Sequence, residues 1–484
     1  MDRAKTSPGF DSITGLAARL RQGEATSVSL VEELLERIAA LDPRLHSFLR
    51  VTEERALAEA RAADASRKDG RNPGATLRGI PYAAKDLFDV KGLPTTAGTR
   101  LLAQNIAKDD CAVVKRLGAA GMVLLGKTHT IQLAYGTVGI NNDQGTPLNP
   151  WHRVPHVAGG SSSGSAVAVT AGLAPMALGT DTGGSVRIPA ALCGIVGLKT
   201  TVGRISRAGV YPLSWTFDSV GPLTRSVEDA ALVFRAMQGP DAKDPQTLGV
   251  APEDPLPALR AGVEGLRIGI GETLFFEEAD PEVEKAVRDA AATLRSLGAR
   301  VESLEMPEIA EAWAQEKRPL YVAAEACFHN RELLERHFDE LDPFVSTRMI
   351  PGRSLSATDY FELGRRRADH LERLERRLGG VDAFLAPTTP IPAPSVAEAG
   401  ASREAYAAFN LELHRNSGAG NYFNLCAVSL PCGFTSGGSP IGLMVYAKPF
   451  HEGIALRVAH TYEQATEWHA RRPDLSWAVA ATAT

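Results

Sequence analysis

Residues 158–199 read AGGSSSGSAVAVTAGLAPMALGTDTGGSVRIPAALCGIVGLK, and glycine and serine crowd two short loops within them, 159–165 and 179–185. Loops this rich in glycine expose peptide N–H groups that side chains would otherwise cover. Such groups bind an anion, or the oxyanion that forms when a hydroxyl attacks a carbonyl. The small residues of 165–171, expected as a helix between the two loops, let backbones approach closely. Upstream, in GIPYAAKDLFDVKG (79–92), Lys85 follows the mostly apolar run 80–84. On the surface it would simply end a strand. Buried, it would lose its proton more readily and offer a neutral base.

Four other patterns compete. GSSSG (160–164) matches the GxSxG elbow and would make Ser162 a nucleophile, but the elbow needs a strand before it, and Val154-Pro155-His156-Val157 is a poor one. GIVGLKT (194–200) looks like a phosphate loop, yet Leu198 separates Gly197 from Lys199, where the pattern needs glycine directly before lysine. Asp181-Thr182-Gly183 suits a pair of carboxylates sharing a proton, and the chain has no second such tripeptide. His152 and His156 are four apart, but Pro155 argues against the helix that would aim both at one metal. No metal and no cofactor is expected.

These loops need a scaffold. Leu30, Val31, Leu34, Leu35 and Ile38 recur at helical spacing behind a cap at Ser27, with Asp42-Pro43 as the stop, and a second helix follows over 53–63. We therefore expect 1–70 as a helical collar, 67–75 as a linker with two glycines and a proline, and 71–484 as the body. Within the body, 112–117 reads as a helix and 122–125 as a buried strand. A strand at 266–270 leads to a helix capped at Asp280, carrying Val283, Val287, Ala290, Ala291 and Leu294, and closed by Gly298; a strand at 301–304 follows. That strand–helix–strand unit implies an α/β fold with a mixed or mostly parallel sheet and helices on both faces. Residues 321–377 read as helical and highly charged.

Composition is that of an ordinary globular chain: 484 residues, 44% hydrophobic and 23% charged, which excludes a disordered, collagen-like or disulfide-held class. Fifty-two basic against 57 acidic residues give a net charge of −5, with no footprint for nucleic acid or an anionic membrane. The five cysteines are scattered and never spaced CxxC, which suits reduced thiols. Asp2, Arg3, Lys5, Asp11 and Arg19 leave no apolar signal segment, and the weakly polar run 165–179 is too short to span a bilayer. A cytoplasmic location is expected.

Taken together, GIPYAAKDLFDVKG, AGGSSSGSAVAV and GTDTGGSVRIPAALCGIVGLK resemble the amidase signature family of serine hydrolases, and the likeness runs from TSVSLVEELLERIAALDP to FNLCAVSLPCGF and SPIGLMVYAKPFHEGIALRVAHTYEQ. The resemblance implies a single large α/β domain on a twisted, mixed central sheet. It implies Ser185 as nucleophile, Ser161 in a cis peptide as proton bridge, Lys85 as base, and the amides of Thr182, Gly183, Gly184 and Ser185 as oxyanion hole. Asp181 and Arg187 are expected to hold the loop, and Cys193 to be core. Neutral Lys85 would draw a proton from Ser161, which draws one from Ser185 as it attacks the carbonyl.

Specificity is expected from 128–146, 205–220, 315–350 and 410–425, where Tyr135, Trp215, Phe217, Tyr321, Phe328, Tyr422 and Phe423 lie. Tyr135, Ser162, Trp215 and Phe217 are the expected substrate contacts, and an apolar or aromatic group the expected cargo. The expected partner is a small-molecule amide, with a carbamate or urea derivative as the runner-up, acted on by a monomer or homodimer. The family also includes the amidase-type subunit of a tRNA-dependent amidotransferase. The loop GRISRAGVYPLSWTFDSVGP differs from the one expected in that subunit, so the stand-alone enzyme is the main expectation.

Overall fold

Strand residues point alternately to opposite faces of a sheet, and that alternation divides the core of this molecule. The computed structural model describes residues 7–68, 76–316 and 320–479. Among them, one sheet contains β1 (Phe48–Val51), β2 (Pro81–Lys85), β3 (Val123–Thr128), β4 (Met176–Asp181), β5 (Val196–Lys199), β6 (Ser219–Thr224), β7 (Arg267–Gly271), β8 (Arg300–Leu304), β9 (Ala383–Pro387), β10 (Cys426–Phe434) and β11 (Pro440–Ala447). Their spatial order is β1-β3-β2-β4-β6-β5-β10-β11-β9-β7-β8. The sheet is mixed: β2 lies parallel to β3 and β4, β7 parallel to β8 and β9, and the other pairs are antiparallel.

Tyr82, Ala84, Leu124, Met176 and Leu178 pack on one face against the helices Ile13–Gln22, Ala112–Ala119 and Val227–Met237. Their neighbours Ala83, Val123, Leu125 and Ala177 pack on the other against Ser27–Leu45, Ser163–Thr170 and Arg187–Cys193. The sheet is thus covered on both sides, as expected of strands read as continuous apolar runs. The unit from β7 through the helix Pro281–Ser296 to β8 is parallel, and Asp280 caps the helix by accepting from the Glu282 amide.

The first 70 residues differ from an all-helical reading. The first long helix is capped by Thr26, which exchanges bonds with Ser29, while Ser27 donates to Gly79 O at 2.9 Å. It also runs through Pro43 to Leu45. In a last turn the missing N–H costs only one intrahelical bond. The Asp42 carboxylate then accepts from the amides of Ser47 (2.8 Å) and Phe48 (3.0 Å), turning the chain into β1. β1 pairs with β3 as an edge strand, so this segment contributes to the sheet as well as to its helical cover. Most of the expected linker, 69–75, lies outside the described residues. The helix between the Gly–Ser loops begins at Ser163, two residues before its expected start. No described helix is long and apolar enough to cross a membrane.

Candidate active site

Lys85 ends β2 and Asp181 ends β4, and these neighbouring strands run parallel, so both residues arrive at the same carboxyl edge of the sheet. Lys85 is completely buried. Its Nζ lies 2.7 Å from Ser161 Oγ and 2.8 Å from Thr180 Oγ1. Burial lowers its pKa from 10.5 to about 7, opposed by the nearby charges of Asp181 and Asp218. At neutral pH a large fraction of this lysine is therefore a free amine.

Ser161 follows a cis peptide bond to Gly160, and its carbonyl accepts from the Ile131 amide at 3.2 Å. The next residue, Ser162, was expected to meet substrate. Instead it is sealed in the interior, its hydroxyl donating to Thr180 O at 3.3 Å and its amide to Ser185 O at 3.2 Å. It joins the two Gly–Ser loops and lines none of the three cavities that Thr182 borders. No strand runs directly into it, which removes the geometric basis of an elbow.

The loop carrying Ser185 is held from beneath by an ion pair. Asp181 and Arg187 are both fully buried; Arg187 Nη2 lies 2.9 Å from Asp181 Oδ1 and its Nε 3.0 Å from Oδ2. Asn421 Nδ2 adds a bond to Asp181 Oδ1 at 2.8 Å, and Arg187 donates to Asn421 Oδ1 (2.7 Å) and the Tyr446 hydroxyl (3.1 Å). Despite desolvation, Arg187 keeps the Asp181 carboxyl well below its usual range. The same carboxylate accepts from the amides of Gly184 (2.9 Å) and Val186 (3.1 Å). The Gly184 amide, expected in the oxyanion hole, is thus already engaged. The amides of Gly183 and Ser185 donate to no group of the described residues. Gly184 also sits at φ +123°, where an added Cβ would stand 2.1 Å from Ser417 Oγ, so only glycine fits.

Ser185, Thr182 and Gly183 open on a cavity shared with Tyr135, Arg348 and His414. Thr182 also borders an apolar cavity walled by Phe217, Trp313 and Tyr422, and a third lined by Thr180 and Trp215. The four expected substrate contacts therefore part company: Tyr135 faces the Ser185 cavity, Phe217 the apolar one, Trp215, a residue 54% exposed, the third, and Ser162 none of these three. Phe328 is exposed and faces solvent beside Arg331.

Several residues at the site had no local signature. Thr180 holds Lys85. His414 Nδ1 bonds to Gly183 O at 2.8 Å, and Ser417 Oγ donates to the same carbonyl at 2.7 Å. One signal did exist: His414, Ser417 and Asn421 fall on one face of the helix Arg403–Tyr422, a polar stripe on a buried helix. The competing motifs resolve as structure. Lys199 is buried, its Nζ donating to Thr200 O and Leu425 O, both at 2.8 Å. The rings of His152 and His156 stack 3.9 Å apart, and His156 Nδ1 lies 2.8 Å from Val154 O. Among the described residues, no group of three or more His, Cys, Asp or Glu side chains could hold a metal. Cys193 is buried, with its thiol pKa pushed up by desolvation.

Comparison with known proteins agrees with this architecture. The amidase family model matches residues 29–456. A subunit of the glutamyl-tRNA(Gln) amidotransferase from Chromohalobacter salexigens is 38% identical, covering 96% of this chain and 98% of that protein. The structure of the peptide amidase of Stenotrophomonas maltophilia superposes with a TM-score of 0.82 at 32% identity, covering 98% of this chain and 99% of that one. That of 6-aminohexanoate cyclic dimer hydrolase superposes with a TM-score of 0.87 at 28% identity, covering 97% and 99%. With the matched model spanning most of its length, the chain belongs to the amidase family.

Proposed function

We propose that the chain cleaves the C–N bond of a carboxamide through an acyl-enzyme on Ser185. The observation that carries this reading is a buried lysine whose side-chain hydrogen-bond partners among the described residues are both hydroxyls, one of them on the loop that adjoins Ser185. Neutral Lys85 takes the Ser161 proton, Ser161 takes that of Ser185, and Ser185 Oγ attacks the carbonyl. The amides of Gly183 and Ser185, with Thr182 beside them, receive the oxyanion. The proton returns through Ser161 to the departing amine, and water then releases the acid. A carbamate would pass through the same steps, losing its amine and leaving an alkoxycarbonyl group on Ser185 for water to release.

A second reading makes this chain the amidase-type subunit of a tRNA-dependent amidotransferase. The relative from C. salexigens favours it over the stand-alone enzyme. So does Arg348, a guanidinium on the Ser185 cavity whose hydrogen bonds go to backbone carbonyls of Tyr135 (3.2 Å) and Phe344 (3.5 Å). A cation so placed suits an amide donor that carries a carboxylate. The apolar cavity behind Thr182 favours the stand-alone enzyme. The test is turnover by the purified chain without ATP, tRNA or a second protein. Release of amine from chromogenic anilides or carbamates supports the stand-alone reading. Activity confined to glutamine, and only with partner proteins added, supports the second.

A further inference from the structure

The aromatic wall of the site stands on residues 213–218, and two carboxylates pin that loop. From inside, Asp218 Oδ2 accepts from the amides of Leu213 (2.9 Å) and Ser214 (3.0 Å), and its Oδ1 from the Thr182 hydroxyl (2.6 Å). From outside comes Glu325, on the helix Leu320–His329 and only 7% exposed. Its Oε2 accepts from the Ser214 hydroxyl and the Thr216 amide (3.1 Å); its Oε1 accepts from the hydroxyls of Thr216 (2.5 Å) and Tyr360 (2.6 Å). Four neutral donors fill the lone pairs of one buried carboxylate. Burying a charge among neutral partners is costly, and an apolar side chain would fill the place more cheaply. Stability alone gives little reason for a carboxylate here.

The same bonds fix the wall. Ser214 Oγ, which donates to Glu325, accepts from the Phe217 amide at 3.2 Å. Phe217 meets Tyr321 edge-on at 5.2 Å, and Tyr321 meets Tyr360 at 4.9 Å. Phe217 and Thr182 border one cavity. We infer that Glu325 is a positioning residue: through Ser214, Thr216 and Asp218 it sets where Phe217 and Thr182 stand relative to Ser185. It thereby couples the wall that substrate packs against to the amides that receive the oxyanion. This rests on the reading of Ser185 as nucleophile.

The test uses the full chain and two fluorophosphonate probes, one alkyl and one bearing an aryl group, with the rate constant for labelling Ser185 read by peptide mass mapping per folded molecule. Glu325→Ala should slow both probes, by about tenfold or more for the aryl probe, as expected when a remote change misplaces reacting groups. Glu325→Gln should restore both to within about threefold, because its carbonyl can accept from the Thr216 amide and its NH2 can donate to the hydroxyls of Thr216 and Tyr360. Tyr360→Phe, which removes one bond of four, should slow the aryl probe about two- to threefold, and carries the test if Glu325→Ala does not fold. A lower melting temperature with unchanged rate constants, or failure of glutamine to rescue, overturns the inference. Wild-type protein left unlabelled at Ser185 overturns the nucleophile reading and this inference with it. A labelled wild type matched in rate by Glu325→Ala overturns this inference alone.

Discussion

The floor and the roof of this site are built from different material. The floor is backbone and polar side chains at the carboxyl ends of β2 and β4 and on the two Gly–Ser loops: Lys85, Thr180, Ser161 and Ser185, with the second loop clamped by the buried Asp181–Arg187 pair. The roof is aromatic and comes from separate elements: Phe217 from a loop, Tyr321 and Tyr360 from two helices, Trp215 leaning on Arg207 at the surface. In the floor, each group has one place it can occupy, because buried polar atoms must be paired. In the roof, the rings meet by dispersion and edge contacts that tolerate substitution, although the loop that carries Phe217 is itself pinned by Asp218 and Glu325. We therefore expect chemistry to be fixed where polar satisfaction is strict, and specificity to vary at the aromatic rings themselves.

Substitutions along this axis should fall in a graded order. Ser185→Ala should abolish turnover, since no other group of the floor can carry the acyl; measurable steady-state activity in that variant would move the nucleophile elsewhere. Lys85→Ala should cut the rate by about 10²–10⁴, the range of one general base, and Lys85→Arg should not rescue it because guanidinium stays protonated. Arg187→Met should leave the buried Asp181 carboxylate without its cation and destabilise the fold by about 3–5 kcal/mol in chemical denaturation. A loss under about 1 kcal/mol would show that the pair does not hold the loop. Trp215→Ala should cost only about 0.5–1 kcal/mol, the worth of an exposed cation–π contact, and change turnover of small amides little. A large fall in kcat from that change would place the roof inside the chemistry and erase the contrast.

The sequence was informative where local chemistry set the structure. The Gly–Ser density of 158–199 located both loops, Asp280 located a helix start, and the apolar run before Lys85 located β2. It was silent where distant segments meet. Asp181 takes the Gly184 amide and so removes one expected oxyanion donor, a fact of side-chain direction that no spacing rule contains. Ser161 and Ser162 look equivalent in GSSSG, yet one touches Lys85 and the other is sealed against Thr180. Phe48–Val51 lies between two expected helices of the collar with no strand signal of its own, and it is Asp42 that turns the chain onto the sheet edge. Glu325, 111 residues from Ser214, carried no signal.

Fluorophosphonate labelling of Ser185 as a function of pH tests the central claim most directly, because it reads the nucleophile without a known substrate. Lys85 must be neutral to act, and burial brings its pKa to about 7, so protonation below that value removes the base. The labelling rate should therefore rise with pH through an inflection near 7 and level off above it, while Lys85→Arg should stay near background throughout. Labelling of Ser162 in place of Ser185, a rate independent of pH, or wild-type labelling in Lys85→Arg would contradict the account.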